Sequence, residues 1–155
     1  MIKRSVLFFV FAFISASISA QDLYSVINDN EWFLRMKSSK PMFGESNNII
    51  YEEKDSPYSI SFYEKAFVKH DDNAIILDYK IKSDTLFMSK GYLNNTYQLE
   101  ALSNNVIEMS TAVLTEDGYT FIDLTLAKKG TSLVQIRDAI LESLEKTKVP
   151  VIKNN

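Results

Sequence analysis

Between Asp78 and Met109 the chain reads DYKIKSDTLFMSKGYLNNTYQLEALSNNVIEM. A strand from Ala74 to Lys82 meets a tight Lys-Ser-Asp turn, and a second runs from Thr85 to about Ser89. A third, Thr96 to Leu102, meets a Ser-Asn-Asn turn, and a fourth starts at Val106. Side chains that alternate with period two belong to strands with one covered face. Turns this short can join only antiparallel neighbours. This stretch therefore predicts an antiparallel meander and limits the fold more than any other part of the chain.

The flanking sequence extends the pattern. Asp22 to Asn28 has the spacing of one or two helical turns, with Asp22 as cap and Leu23, Val26 and Ile27 on one face. Glu31 to Lys37 alternates, placing Trp32, Leu34 and Met36 on one side and Glu31, Arg35 and Lys37 on the other. Phe33 breaks that alternation and is expected to be covered from outside. Ser38 to Asn48 has loop composition, with Pro41 and Gly44, yet carries Met42 and Phe43. It reads either as a surface loop tucking two side chains down or as a lid over an opening. Further strands are expected from Ile49 to Lys54, from Tyr58 as far as Val68, and from Tyr119 to Lys128 after an Asp117-Gly118 hairpin turn.

That makes eight strands, starting near Glu31, Ile49, Tyr58, Ala74, Thr85, Thr96, Val106 and Tyr119. With short connections and no crossover helix, they predict an all-β, up-and-down barrel whose closure removes exposed edges. The rival is an α+β domain with an open sheet curled around a helix. The two differ in whether the first and last strands pair. The period then changes. Gly130-Thr131-Ser132 supplies a break and a cap, and Leu133, Ile136, Ile140 and Leu144 fall at helical spacing. An amphipathic helix over about 131–148 is expected to pack outside the barrel, Pro150 ending it. A partner-binding or membrane-surface helix is the alternative. Val149 to Ile152 could add a ninth strand beside the first.

The ends and the composition bound the role. Lys3 and Arg4 precede an apolar run from Val6 to Ile14, and Ala20 closes a small-residue stretch. This is the pattern of a signal peptide over residues 1–20, cut after Ala20. The run is too short for a membrane span, which needs roughly 20 apolar residues. An exported, single domain over 21–155 is expected, with its barrel over about 30–128 and its place either periplasmic or secreted. Loss of Lys3 and Arg4 takes the net charge from −3 to −5, so no nucleic-acid partner is expected. There is no cysteine, so disulfides and thiolate metal sites are excluded. All eight tyrosines, six phenylalanines and the one tryptophan lie beyond the leader and must supply the core.

Catalytic chemistry has little to stand on. His70 is the only histidine, in a turn with Asp71 and Asp72. A cation could be held there, but the spacing lacks known metal geometry, and a Ser-His-Asp relay would need a chance meeting. Glu52 and Glu53 are strand neighbours and point to opposite faces. Alternation puts Asp78 and Glu108 outside. It puts Trp32, Leu34, Phe62, Leu77, Tyr79, Ile81, Leu86, Met88, Tyr97, Leu99, Ile107, Met109, Ile122, Leu124 and Leu126 inside. Eight strands enclose either a filled core or room for one small ligand. An inward tyrosine seeks a hydrogen-bond partner, which singles out Tyr79 and Tyr97. Asn94-Asn95-Thr96 is a glycosylation sequon, relevant only to a eukaryotic secretory route.

The order of elements resembles the lipocalin (calycin) architecture: a short helix, a strand bearing Trp32, a meander and a C-terminal helix. Its middle is similar to small lipocalin-like domains of exported bacterial proteins. The residues that carry this are Asp78-Tyr79-Lys80-Ile81, Asp84-Thr85-Leu86, and Tyr97-Gln98-Leu99 through Leu102-Ser103 to Val106-Ile107. Asn30-Glu31-Trp32 stands where such chains have Gly-x-Trp, and the basic residue that packs on that tryptophan would be Lys128 or Lys129. The resemblance implies small hydrophobic ligands in many members.

The expectation is thus a non-catalytic, exported barrel, with neither cofactor nor metal, binding a small hydrophobic or amphipathic ligand. Trp32, Phe62, Tyr79, Met88, Tyr97 and Met109 are the candidate ligand contacts, and Met42 and Phe43 the candidate lid. The alternative is a protein-binding module (inhibitor, immunity factor or accessory subunit) with a filled core, motivated by Met42, Phe43, Phe33 and Phe87.

Overall fold

The structure is a computed structural model and describes residues 23–51, 57–89 and 95–146. The expectations placed on the leader, the Asp22 cap, Glu52-Glu53, Asn94 and the Val149–Ile152 strand fall outside these residues. A short helix α1 (residues 23–27) leads into nine strands. They are β1 (Glu31–Pro41), β2 (Asn47–Ile50), β3 (Tyr58–Phe62), β4 (Ala66–His70), β5 (Asn73–Lys82), β6 (Thr85–Ser89), β7 (Thr96–Ser103), β8 (Val106–Thr115) and β9 (Gly118–Lys128). Helix α2 (Leu133–Lys146) follows.

Every sheet pairing is antiparallel, and β9 returns to pair with β1 from Trp32↔Lys128 to Pro41↔Thr120. The eight strands β1 and β3–β9 therefore close into a barrel, as alternation predicted, and the open-sheet rival is excluded. The inward facing expected from alternation is also met in β5–β9. Tyr79 stands opposite Met88, Leu86 opposite Tyr97, Leu99 opposite Met109 and Ile107 opposite Leu126. These inward side chains form one core. Left-handed backbone at Ser83 (φ 59°) turns β5 into β6, and Gly118 (φ 112°) closes the β8–β9 hairpin.

The Ser38–Asn48 stretch, expected as loop, is largely strand, because pairing with β9 carries β1 on to Pro41 and β2 starts at Asn47. Three further elements differ from the sequence reading. The run from Tyr58 to Val68 is two strands, β3 and β4, folded at Tyr63–Lys65. The strand at Ile49 is not a separate stave. It lies end to end with β3 on the same edge of β1, β2 pairing with Met36–Ser39 and β3 with Glu31–Phe33. Third, β1 carries a bulge between Leu34 and Met36. The extra residue, Arg35, reverses the alternation beyond it. Met36 then pairs with Thr125 and faces outward, whereas Lys37 pairs with Leu124 and takes the inward face.

Arg35 itself is 3% exposed. Its Nη1 donates to the Thr131 carbonyl (2.7 Å) and its Nε to the Tyr51 carbonyl (3.3 Å), so the bulge ties β1 to the entry of α2 and the end of β2. Ser132 caps α2 reciprocally. Its Oγ accepts from the Gln135 N–H (3.2 Å), and its own N–H donates to Gln135 Oε1 (2.8 Å). The helix lies outside the barrel on Val106, Ala127 and Leu102, burying Ile136 and Ala139. Leu133 and Leu144, expected on its apolar face, stay exposed because that apolar footing is only a few residues wide.

Candidate functional site: the open end of the barrel

The two ends of the barrel differ. At one, Leu23 and Ile27 of α1 join the core beneath Trp32. The indole Nε1–H donates to the Ile27 carbonyl (3.1 Å), and the Asp29 N–H donates to the Phe62 carbonyl (2.9 Å). Lys128 Nζ stands 5.2 Å from the centre of the Trp32 ring, the packing that the resemblance assigned to Lys128 or Lys129. This end is plugged.

Toward the other end the core thins. A cavity of about 100 Å³ lies among Leu34, Tyr58, Ser59, Ile60, Val68, Met109, Leu124 and Leu126, with an apolar lining. It approaches the roughly 150 Å³ of an engineered apolar cavity that takes up benzene. Typical ligand pockets are larger, about 300–1,000 Å³. At its rim the Tyr58 and His70 rings stack, with centroids 4.3 Å apart, and His70 Nε2 is 3.2 Å from Asp71 Oδ2. A larger groove of about 510 Å³ runs between α1 and the β5–β6 and β7–β8 turns, but it is open to solvent and partly polar.

The six candidate contacts divide unevenly. Trp32, Phe62, Met88 and Tyr97 are buried in the close-packed core. Tyr79 is partly buried. Its ring meets Phe62 edge-on at 5.3 Å, and its hydroxyl donates to the Tyr63 carbonyl (2.6 Å). Burial raises the pKa of Tyr79, with Tyr24 and Asp29 adding to the effect. Only Met109 lines the cavity. Tyr58, Ile60 and Val68 were missed as contacts because the β3–β4 fold was not read. A turn placed at Tyr63–Lys65 would have paired Ile60 with Val68.

Met42 and Phe43 do not line the cavity, and Phe43 is 81% exposed. The Met42 N–H donates to the Tyr119 carbonyl (2.7 Å), which fixes the start of the loop beside the β8–β9 hairpin. Thr120, opposite Pro41, lies four residues beyond cavity-lining Leu124, or about 13 Å along the strand. Met42 and Phe43 thus stand well past the cavity.

The carboxylates lie elsewhere. Asp78 faces out and pairs with Lys65 (2.9 Å). Glu108 also faces out, opposite Glu100, which accepts from Ser143 Oγ of α2 (2.8 Å). Burial raises the pKa of Glu108, and Asp123 and Glu100 raise it further. Among the described residues no three His, Asp or Glu side chains converge as a metal centre would require. No helix among them is long and apolar enough to cross a membrane.

Fold and cavity together define a small antiparallel barrel with one plugged end and one apolar, open end. No family model matches the chain, and no curated protein proves similar to it.

Proposed function

We propose that the chain is an exported, non-catalytic barrel that holds a small apolar or amphipathic ligand at its open end. The observation that carries this reading is the cavity among Leu34, Ile60, Val68, Met109 and Leu124. Such space forfeits contacts that packing would otherwise make, so it is expected where a ligand restores them. Export rests on the Lys3-Arg4 and Val6–Ile14 leader pattern. Native mass spectrometry of the protein purified from its own host tests the reading by showing whether a small molecule travels with it. A thermal-shift panel of hydrophobes complements it, since ligand at 100 times Kd should add about 2.7 kcal/mol. Neither a co-purified molecule nor any shift would remove the reading.

A second reading has its own observation. Met42, Leu114, Tyr119 and Phe121 are all exposed on the ribbon formed by the ends of β1, β8 and β9, and Phe43 stands just beyond. Exposed apolar clusters of this kind mark protein contacts. Capture of a partner from the exported fraction, lost on Phe43→Ala, would favour a binding module instead.

A further inference from the structure

The bulge in β1 decides which chemistry borders the cavity. Before it, Leu34 pairs with Leu126, and both line the cavity. After it, the inward positions of β1 are Lys37, opposite Leu124, and Ser39, opposite Ile122. Leu124 also lines the cavity, and directly opposed residues hold their Cβ atoms about 5 Å apart. The half-buried Lys37 therefore stands at the rim of an apolar cavity. Among the described residues no carboxylate lies within ion-pairing distance of it. The imidazole at this end, His70, already has Asp71 and the Tyr58 ring as neighbours. The register is not a loose slip, because Arg35 holds the bulge through two backbone carbonyls.

From this arrangement we infer that the ligand is a small monocarboxylate amphiphile, its tail among Leu34, Val68, Met109 and Leu124 and its head group at Lys37. This rests on the ligand-binding reading above. The lysine stem runs along apolar wall while its ammonium stays near water, where a carboxylate meets it without full desolvation. The small cavity limits the buried tail to a ring or a short chain.

Calorimetric titration of the purified protein with hexanoate, hexanol and hexylamine at pH 7 and low salt tests it. Hexanoate should bind tightest. Lys37→Met should weaken hexanoate about tenfold, equivalent to about 1.4 kcal/mol, and leave hexanol unchanged. Lys40→Met, at an exposed position farther along β1, should change neither. Lys37→Glu should reverse the preference toward hexylamine, which keeps the test decisive should the methionine variant fold poorly. If wild type binds hexanol as tightly as hexanoate, or if Lys37→Met binds hexanoate as wild type does, the head-group assignment is overturned while the cavity reading stands. Binding of none of the three overturns both.

Discussion

Thr125 is 1% exposed, and its Oγ1 has no hydrogen-bond partner among the described residues. It faces outward between Met36 and Glu108. An unsatisfied buried hydroxyl costs about 1–3 kcal/mol, so Thr125→Val, which keeps the shape, should raise stability by about 1 kcal/mol in urea unfolding. A lower midpoint would mean that the hydroxyl has found a partner. Glu108 makes a pH prediction. Its folded pKa is raised above 4.5. An acid raised on folding favours the folded state below its unfolded pKa, and that advantage is lost as pH rises through the folded value. Glu108→Gln should therefore raise stability at neutral pH and flatten the decline that begins near pH 4.5. Glu31 acts oppositely. Burial pushes its pKa up, but hydrogen bonds from Ser59 and Lys69 outweigh that and lower it below 4.5, so its contribution is lost as pH falls. At this scale much was legible. From Leu77 to Leu126 every side chain expected inward stands on the inward face, because alternation follows directly from pleat geometry. The partly buried setting of Glu108 was not legible, since it depends on neighbouring acids and burial that alternation does not encode.

Among the elements, β1 shows where such reading stops. Nothing in EWFLRMK distinguishes a straight strand from a bulged one; the difference lies in Arg35, whose acceptors at Tyr51 and Thr131 are remote in sequence. Arg35→Met keeps much of the buried stem and removes both hydrogen bonds. It should cost about 2–3 kcal/mol, given about 1.5–3 kcal/mol for a bond to a charged group, as read by the shift of the denaturant midpoint. A near-neutral result would mean that β2 and α2 are held in place by packing alone. The fold between β3 and β4 escaped for a different reason. Tyr63-Glu64-Lys65 contains no glycine, proline or asparagine, the residues by which turns declare themselves. The candidate site suffered more than the fold, because two of the misread elements, β1 and the β3–β4 pair, border the cavity. Tyr58, Ile60 and Val68 come from β3 and β4, and Lys37 follows the bulge.

For the molecule as a whole, closure sets the distribution of stability. Each of β3–β9 is paired along both edges, whereas β2 is paired on one and all four of its residues are exposed. Native-state hydrogen exchange should find Leu77, Leu86 and Leu99 protected up to global unfolding, and Ile49 and Ile50 released by local opening at much lower free energy. Equal protection in both groups would show that β2 belongs to the same cooperative unit. Trp32 gives this closure a voice of its own. It is the only tryptophan, 0% exposed, on the strand where the barrel shuts, with β3 on one side and Lys128 of β9 on the other. The chain thus carries an intrinsic fluorophore at its seam. Its emission should be blue-shifted while first and last strands remain joined, and red-shift when they part, so the barrel's integrity can be followed in unlabelled protein.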